Sequence, residues 1–158
     1  MVVTAATDID AAHAAAQCVS RVHEALVDFL RAGQTLAEID GFVGRTLKDL
    51  DCRSAFLRYR IPGNPPFPSH SCLSPNNCIV HGTHNMTDDP IEPGDLLSID
   101  IGVVHHGWMG DAAWTYAIEH ASEEAQRLME CGRRSLDAGI AAMQPGRPLI
   151  DSERNLRA

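Results

Sequence analysis

The run Asp95-Leu-Leu-Ser-Ile-Asp100-Ile-Gly-Val-Val-His105-His106-Gly107-Trp-Met-Gly110-Asp111-Ala-Ala-Trp-Thr-Tyr-Ala-Ile118 decides the fold. Its first arm is rich in Ile, Val and Leu, its second in aromatic and small residues, and His105-His106-Gly107 lies between as a polar turn. That pattern predicts a β-hairpin. With His105 and His106 as a two-residue loop, Asp100 and Asp111 stand directly opposite each other. Alternation then puts Ser98, Asp100, Gly102, Met109, Asp111, Ala113 and Thr115 on one face. Ile99, Ile101, Val103, Trp108, Trp114, Tyr116 and Ile118 turn the other way, into a core. A three-residue loop ending on Gly107 would break the facing of the two acids.

Two carboxylates opposed on one sheet face, with Cβ atoms ~5 Å apart, repel each other. They can share a proton, reach solvent, or hold a divalent cation between them. Gly102, Gly110, Ala112 and Ala113 leave room for a ligand to approach.

The bulk properties narrow the class. The 158 residues suit one domain with a real core. With 44% apolar and 22% charged residues the chain reads as soluble and globular. The net charge of −8 argues against nucleic acid or an anionic membrane as the main partner. Cys18, Cys52, Cys72, Cys78 and Cys131 are odd in number and form no CxxC, so neither a zinc knuckle nor a disulfide framework is indicated. The first residues show no signal peptide, no run reaches the ~20 apolar residues of a membrane span, and a reducing cytoplasm is the expected location.

Apolar periodicity from Asp10 to Arg31 predicts a first helix stopped by Gly33. Thr35-Leu-Ala-Glu38 reads as a capping box, opening a second helix through Leu50. Both are read as packing elements, with His13 and His23 as ordinary helical residues. Five prolines between Arg58 and Pro75 predict an ordered surface loop. A short strand, Cys78-Ile-Val80, is expected next, delivering His81 with Gly82 behind it. Glu92-Pro-Gly-Asp95 is a turn. After the hairpin, Ser122-Glu-Glu starts a third helix, with Ala125, Leu128, Met129, Gly132, Leu136, Ile140 and Met143 on one side, ended by Pro145-Gly146. The class is α+β: helices on one face of a curved, mostly antiparallel sheet.

Four ordered motifs carry a resemblance: Ser74-Pro-Asn76-Asn-Cys-Ile-Val-His81-Gly82, Glu92-Pro-Gly-Asp95, Ser98-Ile-Asp100-Ile-Gly, and Gly107-Trp-Met-Gly110-Asp111. Together they resemble the methionine aminopeptidases of the pita-bread fold, over roughly residues 10 to 150. Prolidases, proline-specific aminopeptidases and creatinase-like enzymes share that fold. Gly82 after His81 and Gly110 before Asp111 favour the methionine aminopeptidase branch. The resemblance implies that Asp100 binds one metal of a dinuclear site and that Asp111 bridges both. It implies that His81 contacts substrate beside the metals, and that Phe67 and Cys72 line the pocket for the methionine side chain. Two divalent ions, of the Mn, Fe, Co or Zn kind, would activate a water against the amino-terminal peptide bond of nascent proteins.

The chain also departs from the pattern. The family's further histidine and two glutamate ligands have no counterpart here: the last histidine is His120, and Glu153 has no matching context. Met109 stands where relatives often carry histidine, and Thr83-His-Asn-Met replaces the usual Ile-Pro. His105 and His106 are read as solvated turn residues, and His84 is given no ligand role. The hydrophilic tail from Ser152 is expected to mark truncation, leaving a partial catalytic domain with an uncovered apolar sheet edge and face. Such a chain is expected to be inactive alone. The other reading is a non-catalytic pita-bread module that binds a peptide terminus or a missing carboxy-terminal half.

Overall fold

The computed structural model describes residue 3 and residues 5–148. The tail from Ser152, Glu153 included, lies outside the described residues. Two compact units divide the chain, Met1–His120 and Ala121–Ala158.

In the first unit, α1 (Ala6–Phe29) and α2 (Leu36–Asp49) precede four strands: β1 (Arg53–Ser54), β2 (Cys72–Pro75), β3 (Leu96–His105) and β4 (Trp108–Ala117). Each helix buries one stripe, Ala15, Cys18, Val19, Val22 and Leu26 on α1 and Leu36, Ile39, Asp40, Val43 and Leu47 on α2. The Thr35–Glu38 capping box forms as expected, the Thr35 amide donating to the Glu38 carboxylate at 2.7 Å. Phe29 and Phe42 stack at 3.8 Å between ring centroids, fixing the helices against each other. Both stripes meet Leu97, Ile99, Ile101 and Val103, fully buried on one face of β3. Each such side chain contributes about 1.5–3 kcal/mol of burial. His23 is structural, as expected. It bonds the Tyr116 hydroxyl at 2.9 Å and the Ala112 carbonyl at 3.1 Å, and burial lowers its pKa.

β3 lies centrally, with β4 along one side and β2 and β1 end to end along the other, all antiparallel. The hairpin turns on His106 and Gly107, not on His105 and His106. Both turn residues have positive φ, 47° and 87°, the geometry that lets a two-residue loop follow the strands' twist. Glycine adopts it freely, and histidine is among the residues that tolerate it. Moving the turn by one residue moves the register by two. Asp100 therefore pairs with Ala113 and Asp111 with Gly102, so the acids are diagonal neighbours rather than directly opposed. A shift of two preserves the face, and both still share it.

Three further expectations change. The last four residues of the proline-rich loop, Cys72–Pro75, form β2. Pro75 closes the strand, a position where its missing N–H costs no ladder bond. Cys78-Ile-Val80 is irregular loop rather than strand: a turn at Asn76 and Asn77 precedes it, closed by the Cys78 amide on the Pro75 carbonyl at 2.9 Å, and Ile79 is 86% exposed. Trp114 sits on the predicted face but on β4, whose outer edge is unpaired among the described residues, and it stays 54% exposed.

The second unit contains α3 (Glu123–Ala142), capped by the Ser122 hydroxyl accepting from the Ala125 amide at 3.1 Å. Arg133 pairs with Glu130 and Asp137 along its surface. Leu128, Leu136, Ile140 and Met143 of the predicted apolar side are exposed.

Candidate metal centre

Three rows of side chains cross the sheet face that the helices leave free. Ser74, Ser98 and Thr115 form one, with the Ser98 and Thr115 hydroxyls bonded at 2.8 Å. Cys72, Asp100 and Ala113 form the next, and Gly102 with Asp111 the third. The two acids thus occupy one diagonal of a four-residue cell, and Gly102 and Ala113 the other. Diagonal positions lie ~7–8 Å apart, so the two carboxylates reach towards a shared space over small neighbours.

Negative charge is concentrated there. Asp100 has one carboxylate oxygen, Oδ1, that is buried without a hydrogen-bond partner. Burial raises the Asp100 pKa, the Asp111 charge raises it further, and His81 acts in the opposite direction. Buried polar atoms in folded proteins are bonded as a rule, so an orphaned carboxylate oxygen beside a second acid fits a cationic ligand. Cys72 is buried next to this pair. Desolvation first, then the Asp100 and Asp111 charges, push its thiol up to about 12. It stays a neutral thiol at physiological pH, a wall of the site and not a nucleophile.

His81 enters from the loop after β2. That loop leaves the strand at Asn76 and returns at Gly82, whose carbonyl accepts from the Leu73 amide at 2.9 Å and whose amide donates to the Ser74 hydroxyl at 3.1 Å. A Cβ at Gly82 would collide with the Leu73 carbonyl, so glycine permits this return. Asn76 joins loop and hairpin: its side-chain Nδ2 donates to the Asp95 carboxylate at 2.9 Å and its side-chain Oδ1 accepts from the Leu96 amide at 3.0 Å. His81 itself is exposed with a left-handed φ of 59°, and its charge is felt at Asp100.

Phe67 meets Phe56 edge to face, with centroids 6.3 Å apart. The Phe56 ring covers Gly102, where an added Cβ would come within 2.6 Å of it. Phe56 thus lies over Gly102 with Phe67 against its ring, and Cys72 stands beside Asp100. Phe56 had no sequence signal that set it apart from a core aromatic. Asp40, also missed, did have one: it is the single acid in the buried stripe of α2. Only 5% exposed, it accepts from the His70 and Ser71 amides at 3.0 and 2.9 Å and from the Ser71 hydroxyl at 2.9 Å. It thereby anchors the chain entering β2 and sets Cys72 opposite Asp100.

Residues 10–158 match the sequence profile of metallopeptidase family M24. The chain belongs to this family. An M24 relative, methionine aminopeptidase 1 of Mycobacterium tuberculosis, is 35% identical over 146 residues, covering 92% of this chain and 53% of its own length. The solved methionine aminopeptidase of Rickettsia prowazekii superposes with a TM-score of 0.91 at 22% identity, over 99% of this chain and 60% of that one. Prolidase from Pyrococcus furiosus, at 16% identity, gives 0.80 over 99% of this chain and 43% of its own. The pita-bread α+β fold expected from the motifs is thus the fold found. The chain spans about half the length of the curated relatives it matches.

Members of M24 are metallopeptidases, so divalent cations are implied. The residues fit such a group. Asp100 and Asp111 offer oxygen ligands of the hard kind, one oxygen is already buried and unsatisfied, and Gly102 and Ala113 leave the approach open.

Proposed function

We propose that this chain carries the amino-terminal part of the catalytic centre of a methionine aminopeptidase, acting on the amino termini of peptides and nascent proteins in the cytoplasm. The observation that carries this reading is the unsatisfied Oδ1 of Asp100 beside Asp111 on one sheet face. Two divalent ions of the Mn, Fe, Co or Zn kind would supply a water acidic enough to attack at neutral pH and would polarise the scissile carbonyl. Asp100 and Asp111 would hold these ions through their carboxylate oxygens. They are the members of the expected ligand set that this chain carries, and two carboxylates alone bind weakly.

The other residues bind and orient. His81, held beside the acids by the Gly82 return, contacts the substrate near the scissile bond. Phe56, Phe67 and the neutral Cys72 offer a compact apolar surface to an unbranched thioether side chain, where sulfur–aromatic contacts add about 0.3–1.5 kcal/mol. The net charge of −8 argues against nucleic acid as the substrate.

A chimera tests this reading. Residues 10–120 of this chain replace the matched segment of the M. tuberculosis relative, which provides the rest of the centre. The chimera is expected to hydrolyse a methionyl peptide, and Asp111→Asn is expected to lower kcat/KM by about a thousandfold, equivalent to several kcal/mol of metal-borne stabilisation. A folded chimera whose turnover is indifferent to Asp100→Asn and Asp111→Asn would overturn it.

A further inference from the structure

On the opposite face of the same hairpin, three ligand-type side chains converge from three elements. Cys18 belongs to the buried stripe of α1, Cys52 follows α2, and His105 ends β3. One donor atom from each lies within 4.8 Å of the other two. His105 Nδ1 is 3.5 Å from Cys52 Sγ, and Cys52 also donates to the Leu50 carbonyl at 3.4 Å. The turn shift explains this arrangement. His105, read as a solvated turn residue, is the last residue of β3, partly buried and facing the helices with Ile101 and Val103.

From this geometry we propose a second metal site, Cys18–Cys52–His105, that binds a thiophilic divalent ion of the zinc class with water in the remaining position. Tetrahedral zinc, with Zn–S ~2.3 Å and Zn–N ~2.0 Å, needs donor separations of roughly 3.5–3.8 Å. The Cys52–His105 pair already meets that, and the third donor needs a closure of about 1 Å. Two thiols and an imidazole select against the hard ions suited to Asp100 and Asp111. A Cys18–Cys52 disulfide would need sulfurs ~2.05 Å apart and would leave the imidazole without a part. Cys18 is 6% exposed, while the partly exposed Cys52 and His105 let an ion in. Burial, then Cys18, push the Cys52 thiol up to about 12. An ion bound there therefore displaces the Cys52 proton. Once bound, the ion ties α1, the end of α2 and β3 together beneath the hairpin.

Cobalt titration of the reduced chain reads the site directly, because thiolate ligation gives a near-ultraviolet charge-transfer band that carboxylates do not. The band is expected at one equivalent, in the wild type and in the Asp100→Asn/Asp111→Asn double variant, and zinc should displace it. Cys52→Ser should abolish it and Cys72→Ser should leave it intact. His105→Gln should weaken zinc binding more than about tenfold, since changes to residues that merely orient metal ligands already cost that much. Absence of the band in reduced wild-type protein would overturn the proposal, without reliance on any variant folding. So would a band that survives Cys52→Ser or vanishes in Cys72→Ser. A metal-free chain isolated with Cys18 and Cys52 oxidised, two hydrogens lighter, would replace the metal site by a disulfide.

Discussion

Asp100 concentrates the electrostatic tension of the molecule, and its protonation gives a signed prediction. Its folded-state pKa is raised above the ordinary value of 3.8, first by burial and then by Asp111. A raised folded pKa means that stability from this group is full below about 3.8 and lost as pH climbs through the folded value. At pH 7, without divalent ions, ionised Asp100 opposes folding. Asp100→Asn is therefore expected to stabilise the chelator-treated chain at pH 7, by less than about 1 kcal/mol because the site is partly screened by solvent. The gain should vanish near pH 3, as thermal unfolding at the two pH values will show. A variant less stable at pH 7, or an equal gain at both, would contradict this assignment. That Asp100 and Asp111 share a face was legible from strand alternation alone. That one oxygen is orphaned was not, because burial depends on Phe56 and β2, which reach the site from distant parts of the chain.

At the level of elements, local chemistry was readable wherever it was self-contained. Thr35 and Glu38 satisfy each other within one helical turn, and both bonds are present. Thr35→Ala is expected to cost about 1 kcal/mol in chemical denaturation, with Thr35→Ser nearly neutral. An equal loss in both would show that packing of the threonine methyl, and not the cap, is what matters. The hairpin turn was a closer contest. Placing the loop on His105 and His106 treats two histidines as turn residues, whereas His106 and Gly107 let glycine take one of the two left-handed positions. Gly107→Ala should therefore cost about 1–2 kcal/mol, while Gly107→Asn costs less; indifference to alanine would contradict the turn assignment. β2 was hidden by the prolines around it, and Cys78-Ile-Val80 misled because an apolar run in a loop has the composition of a strand. The Cys18–Cys52–His105 cluster left no spacing motif at all, since its members come from a helix, a connection and a strand end.

For the whole molecule, the hairpin acts as a partition. Helices α1 and α2 pack on one face with the apolar core, while the other face presents the acids, and with them the chemistry. Segregating the charged pair from the core was foreseeable from the sequence. Its completion by strands β1 and β2 was not, because strands of two and four residues are set by pairing with β3 rather than by their own composition. Trp114 and Met109, 54% and 71% exposed, leave apolar surface on β4, whose outer edge is unpaired among the described residues.

The most direct test of a cation site on this face is manganese, a hard paramagnetic ion suited to carboxylates and poorly suited to thiols. Added to the isotopically labelled chain, Mn2+ should broaden amide signals around Cys72, Asp100, Gly102, Asp111 and Ala113 first, with weak affinity. Asp100→Asn and Asp111→Asn should each remove that effect. Broadening centred elsewhere, or unchanged in both variants, would contradict the site.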